Sequence, residues 1–170
     1  VCAADGRPIG TAYVNPASLI AARIVSRKPD EPLDAPLIKK RLERALLLRE
    51  ALFDVPFYRL CHGEGDWLPG LVLDRYGDVF SAQITTAGME AQKDALLEVI
   101  GELFTPKAVL FRNDVSVRTM ENLPLSVETG MGTVPDEIEV RESGAAFTVP
   151  LAEGQKTGWF YDQRPNRVEA

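Results

Sequence analysis

Hydrophobic positions along this chain fall mostly in short runs, and only two stretches show helical spacing. Between residues 35 and 53, apolar side chains recur every three or four positions, and charged side chains fill the other face, which predicts one amphipathic helix. Asp34 can cap its start, and Pro36 suits a first helical turn. The same periodicity predicts a second helix over residues 87–104.

The remaining apolar runs have the length of strands. Strands are expected at residues 9–14, 20–25, 57–61, 71–74, 79–84, 108–111, 138–142 and 146–151. Turn-forming residues at 75–78 predict a hairpin, and residues 114–120 predict a turn of helix. Strands outnumber helices and most are linked as hairpins, so the expected fold is α+β, with a small mixed or antiparallel sheet and two main helices.

A proline-rich segment divides the chain. Residues 28–36 hold three prolines among charged residues, a composition typical of a stiff connector, and they predict a domain boundary. The 170 residues suffice for one domain or for one domain and a fragment. Because the chain begins at Val1 with neither an initiator Met nor a signal peptide, we expect a cut end there.

Composition narrows the classes of function. A hydrophobic content of 45% excludes wholesale disorder, and no run approaches the ~18 apolar residues of a membrane span. A net charge of −6 counts against a general polyanion-binding surface but leaves room for a local basic patch. Cys2 and Cys61 have no metal-binding spacing, which favours a reduced intracellular chain with a small buried thiol.

The closing run, residues 154–167, holds the densest candidate chemistry. It combines glycines with Lys156, Arg164 and Arg167 at a junction between a strand pattern and a helix pattern. Asp162 can cap the helix that follows, and the start of a helix suits a carboxylate or phosphate. The alternative is a capped surface helix with solvated charges.

Other catalytic interpretations are weaker. A P-loop requires glycine directly before its lysine, and one residue separates the glycine from Lys156. His62 is the single histidine of the chain and is expected to be structural or solvent-facing. Glu64, Asp66 and Asp74 could form an acid–base pair, although loop carboxylates are more often caps or solvated charges.

Two features could contact nucleic acid. Trp67 would either stack on a base or anchor its loop in the core, and the second interpretation is favoured. A group of cations on the first helix would either grip RNA or form a solvated face, and again the second is favoured. These cations are Lys39, Lys40, Arg41, Arg44 and Arg49.

Several signatures occur in a recognisable order. They are Tyr-Arg-Leu at 58–60, Gly-Glu-Gly-Asp-Trp-Leu-Pro-Gly-Leu at 63–71, Asp-Arg-Tyr-Gly at 74–77, Arg-Asn-Asp-Val-Ser-Val-Arg at 112–118, Gly-Gln-Lys-Thr-Gly at 154–158 and Tyr-Asp-Gln-Arg at 161–164. With them the chain resembles the bacterial class I S-adenosylmethionine (SAM)-dependent methyltransferases that modify carbon-5 of cytosine in large-subunit ribosomal RNA.

The resemblance implies a domain plan. Residues 1–28 correspond to the last strands of a PUA-like β domain, residues 29–36 to a linker, and residues 37–160 to a central α+β domain. Residues 161–170 correspond to the start of a helix that leads into a Rossmann-like catalytic domain. The expected product is therefore a non-catalytic portion of an enzyme, inactive by itself.

The resemblance also implies a cofactor and partners. SAM is the expected cofactor, with weak or no binding to this portion alone, and ribosomal RNA is the expected partner. Cofactor-cleft roles transfer to Lys156, Thr157, Asp162, Gln163 and Arg164, either in holding the methionine carboxylate or in ordering the loop that closes over it. No catalytic or metal-binding residue transfers.

The remaining expectations are a cytoplasmic location, no membrane association and a possible homodimer. The competing hypothesis is a stand-alone binding or scaffold module, with an anion site at the start of its C-terminal helix.

Overall fold

The computed structural model describes residues 1–152 and 157–169, and these residues form an α+β fold as predicted. Its helices are α1 (Ala35–Leu52), α2 (Ala87–Glu90), α3 (Lys93–Phe104) and α4 (Arg164–Glu169). Three 3₁₀ turns lie at Gly63–Asp66, Ser116–Glu121 and Tyr161–Gln163. The Asp34 carboxylate accepts a hydrogen bond from the Leu37 backbone N–H at 3.1 Å, so α1 is capped as its sequence predicts.

The strands of the described residues form three sheets. They are β1 (Thr11–Val14), β2 (Ala22–Ser26), β3 (Phe57–His62), β4 (Leu71–Tyr76), β5 (Val79–Ile84), β6 (Ala108–Asn113), β7 (Ser126–Gly132), β8 (Glu137–Glu142) and β9 (Ala145–Pro150). The central sheet has the order β3-β4-β5-β6-β7, and β1-β2 and β8-β9 are separate hairpins. Only β5 and β6 pair in parallel, because α2 and α3 form the crossover between them.

The central sheet is covered on both faces. Helices α1 and α3 pack on one face, where Leu42, Phe80 and Phe111 belong to the main buried cluster. The β8-β9 hairpin covers part of the other face, where Val140 and Leu151 pack with Leu110. Burial on both faces makes the sheet a rigid platform, and the chain's closing residues dock beside the hairpin.

The β1-β2 hairpin contacts the central sheet and its crossover. The Tyr13 hydroxyl donates to Thr86 Oγ1 at 2.8 Å, and the tyrosine ring lies against Gly88, where a Cβ would overlap it. The side-chain amide of Asn15 donates to the Glu121 carboxylate at 2.8 Å. These polar contacts fix the hairpin against the region around α2.

Two elements differ from the sequence prediction. The single helix expected over residues 87–104 is divided at Ala91 and Gln92 into α2 and α3. Strand β7 was not predicted, because two of its residues, Gly130 and Gly132, weaken a strand pattern. Glycine is needed at both positions, since a Cβ would lie 2.4 Å from the Phe111 ring at the first and 1.9 Å from the Lys107 carbonyl oxygen at the second.

Candidate functional site

The sequence-predicted site residues lie in two different environments. Thr157 is fully buried beside the central sheet. Asp162 and Gln163 are exposed on the last 3₁₀ turn, and Arg164 begins α4. Lys156 lies outside the described residues. Thr157 is therefore buried and Arg164 is partly buried, whereas Asp162 and Gln163 face solvent.

Thr157 is anchored to a buried ion pair. Its hydroxyl donates to the Asp74 carboxylate, and Arg59 makes two further bonds to that carboxylate, at 2.8 and 3.0 Å. The Thr157 carbonyl accepts a hydrogen bond from the Tyr76 hydroxyl at 3.0 Å. Side chain and backbone of Thr157 are therefore both fixed, by groups from β3 and β4.

Two groups that contact Thr157 have shifted pKa values. The hydrogen bond to Asp74 raises the pKa of the Arg59 guanidinium, so this side chain stays charged. Burial, followed by the neighbouring Asp74 charge, raises the pKa of the Tyr76 phenol far above its ordinary value. Tyr76 consequently remains a neutral donor to the Thr157 carbonyl. These contacts make Thr157 part of a structural anchor.

We call residues 157–169 the closing segment. A second buried carboxylate, Glu142 at the end of β8, holds the part of this segment that follows Thr157. Only 3% of Glu142 is exposed, and it accepts hydrogen bonds from Arg167 Nε at 2.6 Å, Arg164 Nε at 3.1 Å and Trp159 Nε1 at 3.3 Å. The two arginines share one face of α4, as their spacing predicts. The sequence left open an anion site or a surface helix with solvated charges. Neither describes these arginines fully, because both are paired with Glu142.

The arginines are also packed on aromatic rings. The Arg164 guanidinium lies 4.4 Å from the centre of the Phe53 ring, and that of Arg167 lies 4.3 Å from the centre of the Trp159 ring. Burial by itself would raise the pKa of the Glu142 carboxyl, but the hydrogen bonds from Arg167, Arg164 and Trp159 outweigh it and lower this pKa.

The lowered pKa of Glu142 predicts a pH-dependent contribution to stability. A carboxyl with a depressed folded-state pKa stabilises the fold fully above its unfolded-state value, and the contribution is lost as the pH falls through the folded-state value. The free energy of unfolding of the chain should therefore exceed that of Glu142→Gln at pH 7, and the gap should narrow below the ordinary value of 4.5. Urea unfolding of both proteins at several pH values measures this gap, and a constant gap down to pH ~2 contradicts the assignment.

An apolar cleft opens next to the exposed part of the closing segment. Its volume is about 400 Å³. Its lining includes Leu48, Leu52, Phe53, Arg59, His62, Tyr161 and Asp162. Leu48 and Leu52 are exposed on α1, whereas the Tyr161 hydroxyl is tied to the Arg75 carbonyl at 2.8 Å. Charged groups at the rim of an apolar floor are typical of a small-molecule or partner cleft.

The loop carboxylates considered for acid–base chemistry are each engaged by an arginine. Asp66 makes two bonds of 2.7 Å with Arg49, and Glu64 accepts from Arg23 at 3.1 Å. Asp74 is likewise engaged, by Arg59 and Thr157. All three carboxylates therefore form structural ion pairs, which favours a structural role over acid–base catalysis. His62 is exposed at the rim of the cleft, in agreement with the expectation that it faces solvent.

The signature at residues 112–118 organises the fold. Arg112 donates to the Leu151 carbonyl at 2.7 Å and pairs with Asp114, which ties β6 to the end of β9. Arg118 is 1% exposed, and it donates to the backbone carbonyls of Ile84 and Pro124 and to a carboxylate oxygen of Glu90.

Glu142 was missed by the sequence reasoning, although a signal was present. Ile138, Val140 and Glu142 occupy alternate positions of β8 and share its buried face. A carboxylate in register with two buried aliphatic residues requires buried cationic partners. The arginines at positions 164 and 167 were identified, but their connection to this strand depends on the fold.

Among the described residues, no helix is both long and apolar enough to cross a membrane. The same part of the chain contains no group of His, Cys, Asp or Glu side chains that could hold a metal ion.

The fold is that of solved methyltransferase structures. A protein from Streptococcus mutans described as a SAM-dependent methyltransferase superposes with a TM-score of 0.80 at 21% identity, over 99% of this chain and 43% of that chain. A second structure, described as a methyltransferase in complex with SAH, gives a TM-score of 0.81 at 21% identity with the same coverage. The sequence model of the PUA-like domain matches residues 1–27.

Sequence relatives are more specific. The chain is 37% identical over 171 aligned residues to the ribosomal RNA large subunit methyltransferase I of Erwinia tasmaniensis and 36% identical over 174 residues to that of Shewanella amazonensis. These matches cover 98% and 100% of this chain but only 43% and 44% of the relatives. The chain is thus similar, over nearly all its residues, to less than half of each enzyme.

Proposed function

We propose that this chain is the part of a SAM-dependent ribosomal RNA methyltransferase that carries the end of a PUA-like domain and the central α+β domain. The observation that carries the proposal is the 37% identity to a ribosomal RNA large subunit methyltransferase across 98% of the chain. Asp74 and Glu142 hold the closing segment against the central domain, which supports a fixed position for this segment. The reaction we assign to the parent protein is methylation of cytosine carbon-5.

The closing segment forms one wall of the cofactor cleft in this proposal. Its support is the pair of anchors at Thr157 and α4, which hold Asp162 and Gln163 outward beside the apolar cleft. When bound in the parent protein, SAM supplies the methyl group. Arg164 already donates to Glu142 and would have to leave it to bind the methionine carboxylate of SAM. The role we assign to this chain is therefore to form an ordered wall beside SAM.

The nucleophile that attacks the base lies outside this chain in this proposal. Cys61 is fully buried, and burial raises the pKa of its thiol far above the ordinary value, so it does not ionise near neutral pH. Cys2 is exposed, and both cysteines are free. The chain alone is therefore expected to be inactive.

Two measurements test the proposed function. A full-length protein that carries this segment, supplied with SAM and unmodified large-subunit ribosomal RNA, should yield 5-methylcytosine by mass spectrometry of the digested RNA. Calorimetric titration of SAM into the 170-residue chain should show affinity no tighter than about millimolar, because a single wall gives few contacts. Methylation of another base position, or micromolar binding to the isolated chain, would refute the corresponding part.

A further inference from the structure

A basic groove lies where the end of β2, helix α1 and the first 3₁₀ turn meet. Its volume is about 240 Å³, and a neighbouring hollow of about 200 Å³ shares Arg41, Arg44, Asp66 and Trp67 with it. We define the basic groove by Arg27, Lys28, Lys40, Arg41, Arg44 and Trp67. Its elements come from both sides of the proline-rich linker, so the groove exists only when the hairpin is docked.

Three cations of the basic groove are unpaired. Arg27, Lys40 and Arg44 are exposed, and none of them forms an ion pair with another described residue. In a chain with a net charge of −6, three such cations on one concave surface are a segregated patch. Such a patch attracts an anionic partner despite the overall negative charge.

Two carboxylates, Glu31 and Asp66, also line the basic groove, but they face five cations, so the lining keeps a net positive charge. Asp66 is held by Arg49 through two bonds of 2.7 Å, and Glu31 accepts from the Ser26 hydroxyl and lies 3.9 Å from Lys28. The cationic group predicted on α1 therefore divides, since Lys39 and Arg49 are used in ion pairs while Lys40 and Arg44 are not.

Trp67 is displayed at the edge of the basic groove and does not anchor the core, contrary to the interpretation that the sequence favoured. It is 43% exposed, and its φ of 61° is a left-handed conformation that bulky residues rarely adopt. Its backbone N–H donates to the Glu64 carbonyl at 3.1 Å, and its own carbonyl accepts from Arg41. The backbone of Trp67 is therefore held in a strained conformation, and the residue lines the groove together with the cations.

Arg41 joins the two walls of the basic groove. Its guanidinium donates to the carbonyl of Trp67, which directly follows the first 3₁₀ turn, and to the carbonyl of Val25 in β2. Burial lowers the pKa of Arg41, and the Glu31 charge acts in the opposite direction. An anion in the groove would offset the cost of burying this charge.

We propose that the basic groove binds single-stranded RNA, with a base stacked on Trp67 and phosphates contacting Arg27, Lys40 and Arg44. Exposed aromatic rings next to spaced cations are the usual equipment for single strands, because unpaired bases offer a free face for stacking. This inference rests on the proposed function and deepens it by naming the surface that receives RNA.

The first test removes the indole without harming the backbone. Trp67→Gly adopts the left-handed conformation without strain, and the relief of that strain offsets part of the lost indole packing, so the variant should remain folded, as a cooperative thermal transition will show. Its affinity for a fluorescent single-stranded RNA of about 12 nucleotides, measured by anisotropy on the 170-residue chain, should fall roughly tenfold. Unchanged affinity in a folded variant would overturn the stacking role.

The second test removes the cations. The triple variant Arg27→Ala, Lys40→Ala, Arg44→Ala should bind the same RNA at least tenfold more weakly, and its slope of log affinity against log salt should be smaller by about 2. The matched control Arg7→Ala, Lys107→Ala, Arg141→Ala removes three exposed cations elsewhere and should change neither. Equal losses in both triple variants would show a diffuse charge effect and contradict the groove.

Competition identifies the partner class and separates this inference from the proposed function. Unlabelled single-stranded RNA should displace the probe at much lower concentration than a polyglutamate peptide of equal charge, and equal competition would contradict an RNA site. If a full-length enzyme with the triple substitution methylates ribosomal RNA with unchanged KM, the groove is refuted while the proposed function stands. If no methyl transfer occurs but the chain binds RNA through Trp67, the reverse holds.

Discussion

Asp74→Ala should lower the free energy of unfolding of this chain by about 3 kcal/mol. Asp74 is fully buried, and its loss removes the carboxylate that pairs with Arg59 and accepts from the Thr157 hydroxyl. We place the effect at the lower end of the range for broken buried pairs, because the Arg59 side chain is 30% exposed. Thermal melting should shift downward by roughly 6–12 °C.

Asp78→Ala is the matched control for this substitution. Asp78 also pairs with a cation, Lys107, but its side chain is 59% exposed, so the change should be within about 0.5 kcal/mol. A second variant tests the ion pair itself, since replacing Arg59 and Asp74 together by Met and Leu should recover much of the lost stability. If Asp74→Ala and Asp78→Ala have the same melting temperature, the Arg59–Asp74 pair does not anchor the closing segment.

Glu142→Ala should release the closing segment while leaving the central sheet folded. The substitution removes the shared acceptor of Trp159, Arg164 and Arg167, and two arginines on one short helix then repel each other. Hydrogen exchange of the backbone amides of residues 159–169 should accelerate by at least tenfold, with the amides of β5 and β6 unchanged. In a full-length enzyme, methyl transfer should fall on the order of 100-fold, because the cleft wall is misplaced.

Glu139→Ala provides the comparison, because Glu139 lies on the same strand and pairs with Arg141 on the surface. Its side chain is 55% exposed, so neither exchange nor methyl transfer should change. Similar exchange rates in the two variants would mean that Glu142 does not hold α4 in place.

Periodicity was sufficient for most of the fold. Helix α1 begins at Ala35 as predicted, because the Asp34 cap and the apolar spacing are local signals. Strand β7 could not be found in this way, because its glycines are explained by the Phe111 ring and the Lys107 carbonyl, neither of which is near them in sequence. The division of the second helix is likewise invisible to a pattern that stays apolar across it.

The partners of the candidate site residues could not be predicted from the sequence. The closing run was identified from its glycines and cations, yet the partners of those cations, Glu142 and the ring of Phe53, come from other strands and helices. Trp67 shows the same limit in reverse, since its exposure depends on how Arg41 and the 3₁₀ turn fix its backbone. Spacing within a sequence shows which residues share a face, whereas burial and pairing depend on the whole fold.

The most direct measurement is a crystal structure of a full-length enzyme carrying this segment, with SAH bound. We expect Asp162 or Gln163 within ~4 Å of the ligand, while Arg164 stays on Glu142 and Thr157 stays on Asp74. A structure in which the ligand lies far from this turn, or in which Arg164 leaves Glu142 to bind the ligand carboxylate, would contradict the account.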